Sequence, residues 1–211
     1  MADNDAMCPR FSDAAPRAGL RERKKIQTRQ AIRKAAYRLF AEQGYDATPV
    51  DRIADAADVS PSTVFRYFPT KEDIVLTDEY DAEMAQELRE RPADEQPLVS
   101  VRAVLHNAFA RILGDPDSRE ELVQREELVR DVPAIRARAH ESLSATGRML
   151  GGVIAERTGR KGDDLEVRVF TAAVFGALHE TTLYWVENGR TEDLLDLLER
   201  ALGMLRRGLD L

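Results

Sequence analysis

Residues 58–73 read DVSPSTVFRYFPTKED. Ser60 followed by Pro61 is a helix start. The hydroxyl suits the N-cap, and the N–H that proline lacks has no helical partner at the first position anyway. The helix that begins there is short, because Pro69 stops it after Tyr67 or Phe68. Thr70-Lys71-Glu72-Asp73 opens another, with an acid three residues after the hydroxyl. Val64 and Phe68 share one side of the short helix and face inward by their spacing. Phe65, Arg66 and Tyr67 cannot all join them on so short an element. An aromatic and basic group is therefore left outside, next to Ser60, Pro61, Ser62 and Thr63.

The chain on either side of this stretch is helical as well. Between Ile26 and Gln43, the apolar residues Ile32, Ala35, Ala36, Leu39 and Phe40 recur at helical spacing, and Gly44 closes the run. Thr48-Pro49-Val50-Asp51 repeats the hydroxyl-proline start. Thr48 is expected at the N-cap of a short helix whose inner face is Val50, Ile53, Ala54 and Ala57. The helix opened by Thr70 is expected to run past Leu88 to about residue 91. Pro92 and Pro97 then break the chain. Further helices are predicted at 98–113, 118–131, 133–157, 164–187 and 192–208. No segment has strand character. The prediction is an all-α chain of about nine helices. It has a tail over 1–20 expected to be disordered, a three-helix unit over 21–75, and a larger helical body over 76–211.

Charge separates the two parts. Residues 17–41 hold nine Lys and Arg (Arg17, Arg21, Arg23, Lys24, Lys25, Arg29, Arg33, Lys34 and Arg38) against one acid, Glu22. The whole chain carries a net −7, so its basic front is joined to an acidic body. No apolar run is long enough to span a membrane, and the first residues lack the basic start and apolar stretch of a signal peptide. The single cysteine, Cys8, cannot form an internal disulfide. A cytoplasmic location is expected.

Two short helices joined by a tight Asp58-Val59 connection, after a longer helix, form a helix-turn-helix unit, with the second short helix as the reading element. Its short hydroxyls allow close approach to nucleic acid, and the helix start attracts phosphate. Arg66 can reach a guanine edge or a phosphate, and Tyr67 can donate to a phosphate. Lys71 is placed for the same strand, and Thr48 is a second phosphate candidate. Arg29 and its basic neighbours add phosphate contacts. The competing reading is a helical protein-interaction module whose basic front meets an acidic partner.

The pattern Ala41-Glu-Gln-Gly-Tyr-Asp-Ala-Thr48, Ile53-Ala54, Val59-Ser60 and Thr63-Val64-Phe65-Arg66-Tyr67-Phe68-Pro-Thr-Lys71-Glu72 resembles the tetracycline-repressor-like (TetR) family of bacterial transcription regulators. The resemblance spans about residues 27–75. It departs at Phe65, where the family often has Tyr, and at Pro49, where many members have a second Thr. It implies a homodimer whose small N-terminal domains bind a palindromic DNA operator. The larger domain would dimerise and hold a small organic inducer, most often releasing the DNA. Glu127-Leu-Val-Arg-Asp-Val-Pro133-Ala-Ile-Arg is similar to the ligand domain of a subgroup with acyl-CoA-like ligands, so the implied inducer is hydrophobic or acyl-type.

In the helix at 164–187, one stripe holds Val167, Phe170, Val174, Leu178, Thr181 and Trp185. A second face holds Ala172, Gly176, His179 and Leu183. The last helix also has apolar residues off its main stripe. Together these two helices are expected to make a four-helix dimer interface. Pocket candidates on the middle helices are His106, Phe109, Leu113, Arg125, Leu128, Leu143, Met149, Phe170, Val174 and Trp185. The three His residues lack metal-ligand spacing, and His179-Glu-Thr-Thr-Leu183 lacks the second His of the zinc-protease motif. With neither a phosphate loop nor a serine elbow, no catalytic residue, metal or cofactor is expected, and the chain reads as a non-enzyme.

Overall fold

The computed structural model describes residues 20–77 and 80–209. The expected tail over 1–20, with Cys8, lies outside the described residues apart from Leu20, which already belongs to a helix. The described residues form ten helices and no strand: α1 (Leu20–Gln43), α2 (Val50–Ala56), α3 (Pro61–Tyr67), α4 (Lys71–Leu76), α5 (Asp81–Glu90), α6 (Pro97–Gly114), α7 (Pro116–Asp131), α8 (Pro133–Thr158), α9 (Leu165–Glu187) and α10 (Leu194–Arg206).

The head is α1 to α4. Ile32, Ala35, Ala36, Leu39 and Phe40 of α1 are buried against Ile53 and Ala54 of α2, Val64 at α3 and Phe68 just beyond it. Gly44 ends α1 in the left-handed region (φ 88°), and its N–H donates to the Phe40 carbonyl at 2.9 Å. The connection from α2 to α3 turns at Asp58, also left-handed (φ 53°), a conformation that a short polar side chain tolerates. Ser60 caps α3 as expected, accepting from the Thr63 N–H at 3.2 Å with Pro61 at the first helical position. Thr70 and Asp73 complete a reciprocal capping box at the start of α4.

One expected helix is two. The run opened by Thr70 stops at Leu76, and α5 begins at Asp81. The reason is tertiary. Ile74, Val75 and Leu76 are all buried, so α4 has no consistent outer face to continue. The backbone then turns extended at Thr77, and other elements hold its carbonyls. The Tyr37 hydroxyl donates to Val75 O at 3.3 Å, and Arg33 Nη1 donates to Thr77 O at 2.9 Å.

In the body, Pro97, Pro116 and Pro133 each occupy the first positions of a helix. They start helices as much as they interrupt the chain. α7 therefore begins two residues before the predicted 118, with Asp115 accepting from Ser118 N–H at 2.8 Å. α8 and α9 pack closely at Gly151, where an added Cβ would lie 3.3 Å from Thr171 Cγ2. The head core runs into the body through Val129, Ile135 and Ala139 of α7 and α8. Residue 75, the expected end of the head, therefore lies inside a continuous core. No helix among the described residues is long and apolar enough to cross a membrane.

Candidate nucleic-acid interface and ligand cavity

α3 separates two kinds of side chain. Val64 and Phe68 are buried beneath it, while Ser60, Pro61, Ser62, Phe65 and Arg66 are exposed; Thr63 and Tyr67 are half-buried. Phe65 is 49% exposed, an unusual state for a large apolar side chain. The Arg66 guanidinium stacks over the Tyr67 ring, 5.3 Å from its centroid. The Ser60 hydroxyl lies 2.9 Å from those of Ser62 and of Thr63, so the start of α3 presents a compact hydroxyl cluster.

Three basic residues sit differently from expectation. Lys71 turns inward: its Nζ donates to the Tyr45 carbonyl and sits 3.9 Å from the centroid of the Tyr45 ring and 5.6 Å from that of Phe40. Burial lowers its pKa below the ordinary lysine value. Lys71 braces the head in this conformation. Arg33, in the basic run, ion-pairs with Glu121 of α7 and joins head to body. Arg29 is half-buried, its guanidinium 5.6 Å from the Phe68 ring centroid, where it supports the base of α3. Arg23, Lys24, Lys25, Lys34 and Arg38 remain exposed along α1.

Thr48 departs furthest. It is fully buried, and its hydroxyl donates back to the Gly44 carbonyl at 2.7 Å. Pro49 takes the N-cap position of α2 with no side-chain cap. Buried and with its proton given to the Gly44 carbonyl just past α1, the hydroxyl is turned away from the surface that would meet a phosphate.

In the body, helices α5 to α9 surround a cavity of ≈ 90 Å³. Its apolar wall includes Leu105, Phe109, Leu143, Phe175 and Leu178. Polar groups gather at two places: Arg125, Glu126, His179 and Thr182 from α7 and α9, and Tyr80, Asp81, Ser142 and Thr146 from the start of α5 and from α8. Leu76, at the end of α4, also reaches the lining. The helix that follows the reading element thus ends at the cavity wall. Asp81 accepts from the Thr146 hydroxyl at 3.0 Å.

Sequence comparison assigns both parts. Residues 32–77 match the family described as bacterial regulatory proteins, tetR family, and residues 95–210 match the MftR C-terminal domain. The chain belongs to the TetR family. The HTH-type transcriptional regulator TcmR of Streptomyces glaucescens is 34% identical over 84% of this chain and 80% of its own length. The fatty acid metabolism regulator protein of Bacillus subtilis (strain 168) is 28% identical over 83% of this chain and 92% of its own length. Among solved structures, FadR of Thermus thermophilus, a TetR family repressor in complex with lauroyl-CoA, superposes with a TM-score of 0.54. It is 26% identical, over 87% of this chain and 95% of that one. These relatives are regulators, not enzymes. This TetR chain is a DNA-binding transcription regulator.

The TetR cavity takes only some of the residues expected to line it. Phe109, Arg125 and Leu143 do so, while Phe170 and Val174 border a much smaller void beside it. Five are elsewhere. His106 is exposed on α6, with Nδ1 3.7 Å from Glu199 of α10. Leu113 packs in the lateral core under α10, and Leu128 packs against the head core. Met149 is exposed. Trp185 is buried, its indole N–H donating to the Glu192 carbonyl at 3.0 Å across the α9–α10 turn. His179, placed by the sequence on a second face of α9, lines the cavity, its ring 5.9 Å from that of His140. Sequence reasoning missed Glu126 and Thr182. Glu126 follows Leu122 by four residues and precedes Val129 by three, so it sits within the apolar stripe of α7. A lone acid at that register is the signal that could have marked it.

Proposed function

We propose that the protein is a homodimeric repressor that reads a palindromic operator through α3 and lets go when a small, largely apolar organic molecule fills the body cavity. One observation carries this reading: α3 hides Val64 and Phe68 and presents Ser62, Phe65 and Arg66 outward. In the proposed complex, Ser60, Pro61, Ser62, Thr63, Phe65, Arg66 and Tyr67 enter a major groove, with two heads about 34–36 Å apart on one DNA face. The exposed cations of α1 follow the phosphates. On this reading the chain has a DNA-binding unit over about 21–77 and a ligand and dimer unit beyond it, works in the cytoplasm, and performs no catalysis.

The dimer reading is supported by the outer face of α9. Leu165, Val169 and Tyr184 are exposed there, with Ala172, Ala173 and Gly176 between them, a width of apolar surface that a second copy would cover. The effector reading is supported by the cavity's apolar wall, which suits a hydrocarbon body such as the acyl chain carried by lauroyl-CoA in the Thermus FadR complex. Coupling has a physical route, because Leu76, Tyr80 and Asp81 belong both to the cavity lining and to the chain between head and body.

The test is fluorescence anisotropy with a palindromic duplex selected from a random pool and the same duplex scrambled. The selected duplex is expected to bind far more tightly, with affinity falling steeply as salt rises. Equal affinity for both duplexes would return the chain to the protein-interaction reading.

A further inference from the structure

Glu126 is buried among apolar side chains, only 4% exposed, and lines the cavity. Its partners are weak. Oε2 lies 3.3 Å from the Thr182 hydroxyl, but that hydroxyl has one proton and a nearer acceptor, the His179 carbonyl of its own helix at 3.0 Å. Oε1 lies 3.6 Å from Arg125 Nε, longer than a hydrogen bond. A carboxylate withdrawn from water needs close donors to offset its lost hydration; the ion pair with Arg125 offsets part of the charge, but neither contact is a short hydrogen bond. Among the described residues, the other ionisable groups facing the cavity are Arg125, Asp81, His179 and Tyr80. Among the described residues the lining thus carries the carboxylates of Glu126 and Asp81 and the guanidinium of Arg125.

We infer that the effector carries a protonated nitrogen at one end of an apolar body, and that this nitrogen docks on Glu126: a primary or secondary amine or an amidine. The inference rests on the reading of the cavity as the effector site. A charged N–H donor would restore to the Glu126 oxygens what burial removes, and such charge-assisted bonds are about twice as strong as neutral ones. A carboxylate or thioester end brings only acceptors to the same place and would meet Glu126 lone pair to lone pair. The small cavity and its apolar wall then limit the body of the molecule, while Glu126 selects its head.

Calorimetric titration of the full chain with octylamine, octanol and octanoate tests this at equal chain length. Octylamine is expected to bind at least tenfold more tightly than either other probe. Glu126→Gln, close in shape, is expected to erase that margin, the loss falling most heavily on octylamine. Leu143→Trp, which fills the cavity, should weaken all three. Tighter binding of octanoate than octylamine, or a margin that survives Glu126→Gln, overturns the inference and leaves the cavity reading standing. Failure of all three probes to bind, or full binding to Leu143→Trp, removes the cavity reading and the inference with it. The ranking on the unaltered protein decides the matter even where a variant does not fold.

Discussion

The reading helix and the cavity meet opposite problems of solvation. On α3, polar groups stay wet and satisfy one another: the Ser60, Ser62 and Thr63 hydroxyls lie 2.9 Å apart in pairs around Ser60, and Arg66 rests on Tyr67. Little energy is stored there, so the surface can exchange water for DNA cheaply. In the cavity, Glu126 has lost its water and is left with a long contact to the Thr182 hydroxyl and a 3.6 Å ion pair with Arg125. The first region suits a broad, salt-sensitive contact made by many weak partners. The second suits a small molecule whose one correct group makes a large difference.

The largest effect should come from beneath the reading helix. Phe68 is fully buried, so Phe68→Ala is expected to cost about 3–5 kcal/mol of stability. A denaturant melt showing no loss would break the contrast between the inner and outer faces of α3. Next is the outer face itself. Arg66→Ala should weaken operator binding by about 1–3 kcal/mol with the melting curve unchanged. Wild-type affinity in a gel shift would remove Arg66 from the interface. Thr70→Ala breaks the reciprocal cap of α4 and should cost about 1 kcal/mol in a urea titration, much the same with or without DNA.

The smallest effect at neutral pH concerns Tyr37, where the head meets the body. Burial pushes its phenol up to about 12. The sign follows: the folded state holds this proton more tightly than the unfolded chain, so Tyr37's contribution is full below pH 10 and is lost as pH rises through about 12. Tyrosinate absorbance should show late-titrating rings, Tyr45 among them because burial and its bond to Glu72 also raise its phenol, and the step near pH 12 should disappear in Tyr37→Phe. A set of tyrosines all ionising near pH 10 would show that this junction is wetter than the structure has it.

The head was legible because its signals are local. Ser60-Pro61, Thr70 to Asp73 and Gly44 each act within four residues, and Val64 and Phe68 follow from helical period alone. Thr48 misled because a hydroxyl before a proline reads as a cap for the helix that follows, while the turn at Gly44 brings that carbonyl, four residues back, within its reach. The break after Leu76 was hidden for the same reason: Arg33 and Tyr37, some forty residues upstream, hold the carbonyls that end α4. In the body, periodicity placed the helices to within a few residues. Which side of a wide apolar stripe meets a void, and which meets another helix, depends on how five helices are arranged, so Trp185 and Leu128 looked no different from Phe109.

Arg33 has a practical consequence for anyone wishing to swap heads between regulators. Its guanidinium grasps the chain leaving α4 and an acid on α7 at once, while Val129, Ile135 and Ala139 complete the hydrophobic floor from below. A front end cut at residue 77 and transplanted would arrive with an open underside and a cation missing its counter-ion. Chimeras should keep their operator specificity only where the recipient offers an acid in place of Glu121 and small apolar side chains beside it.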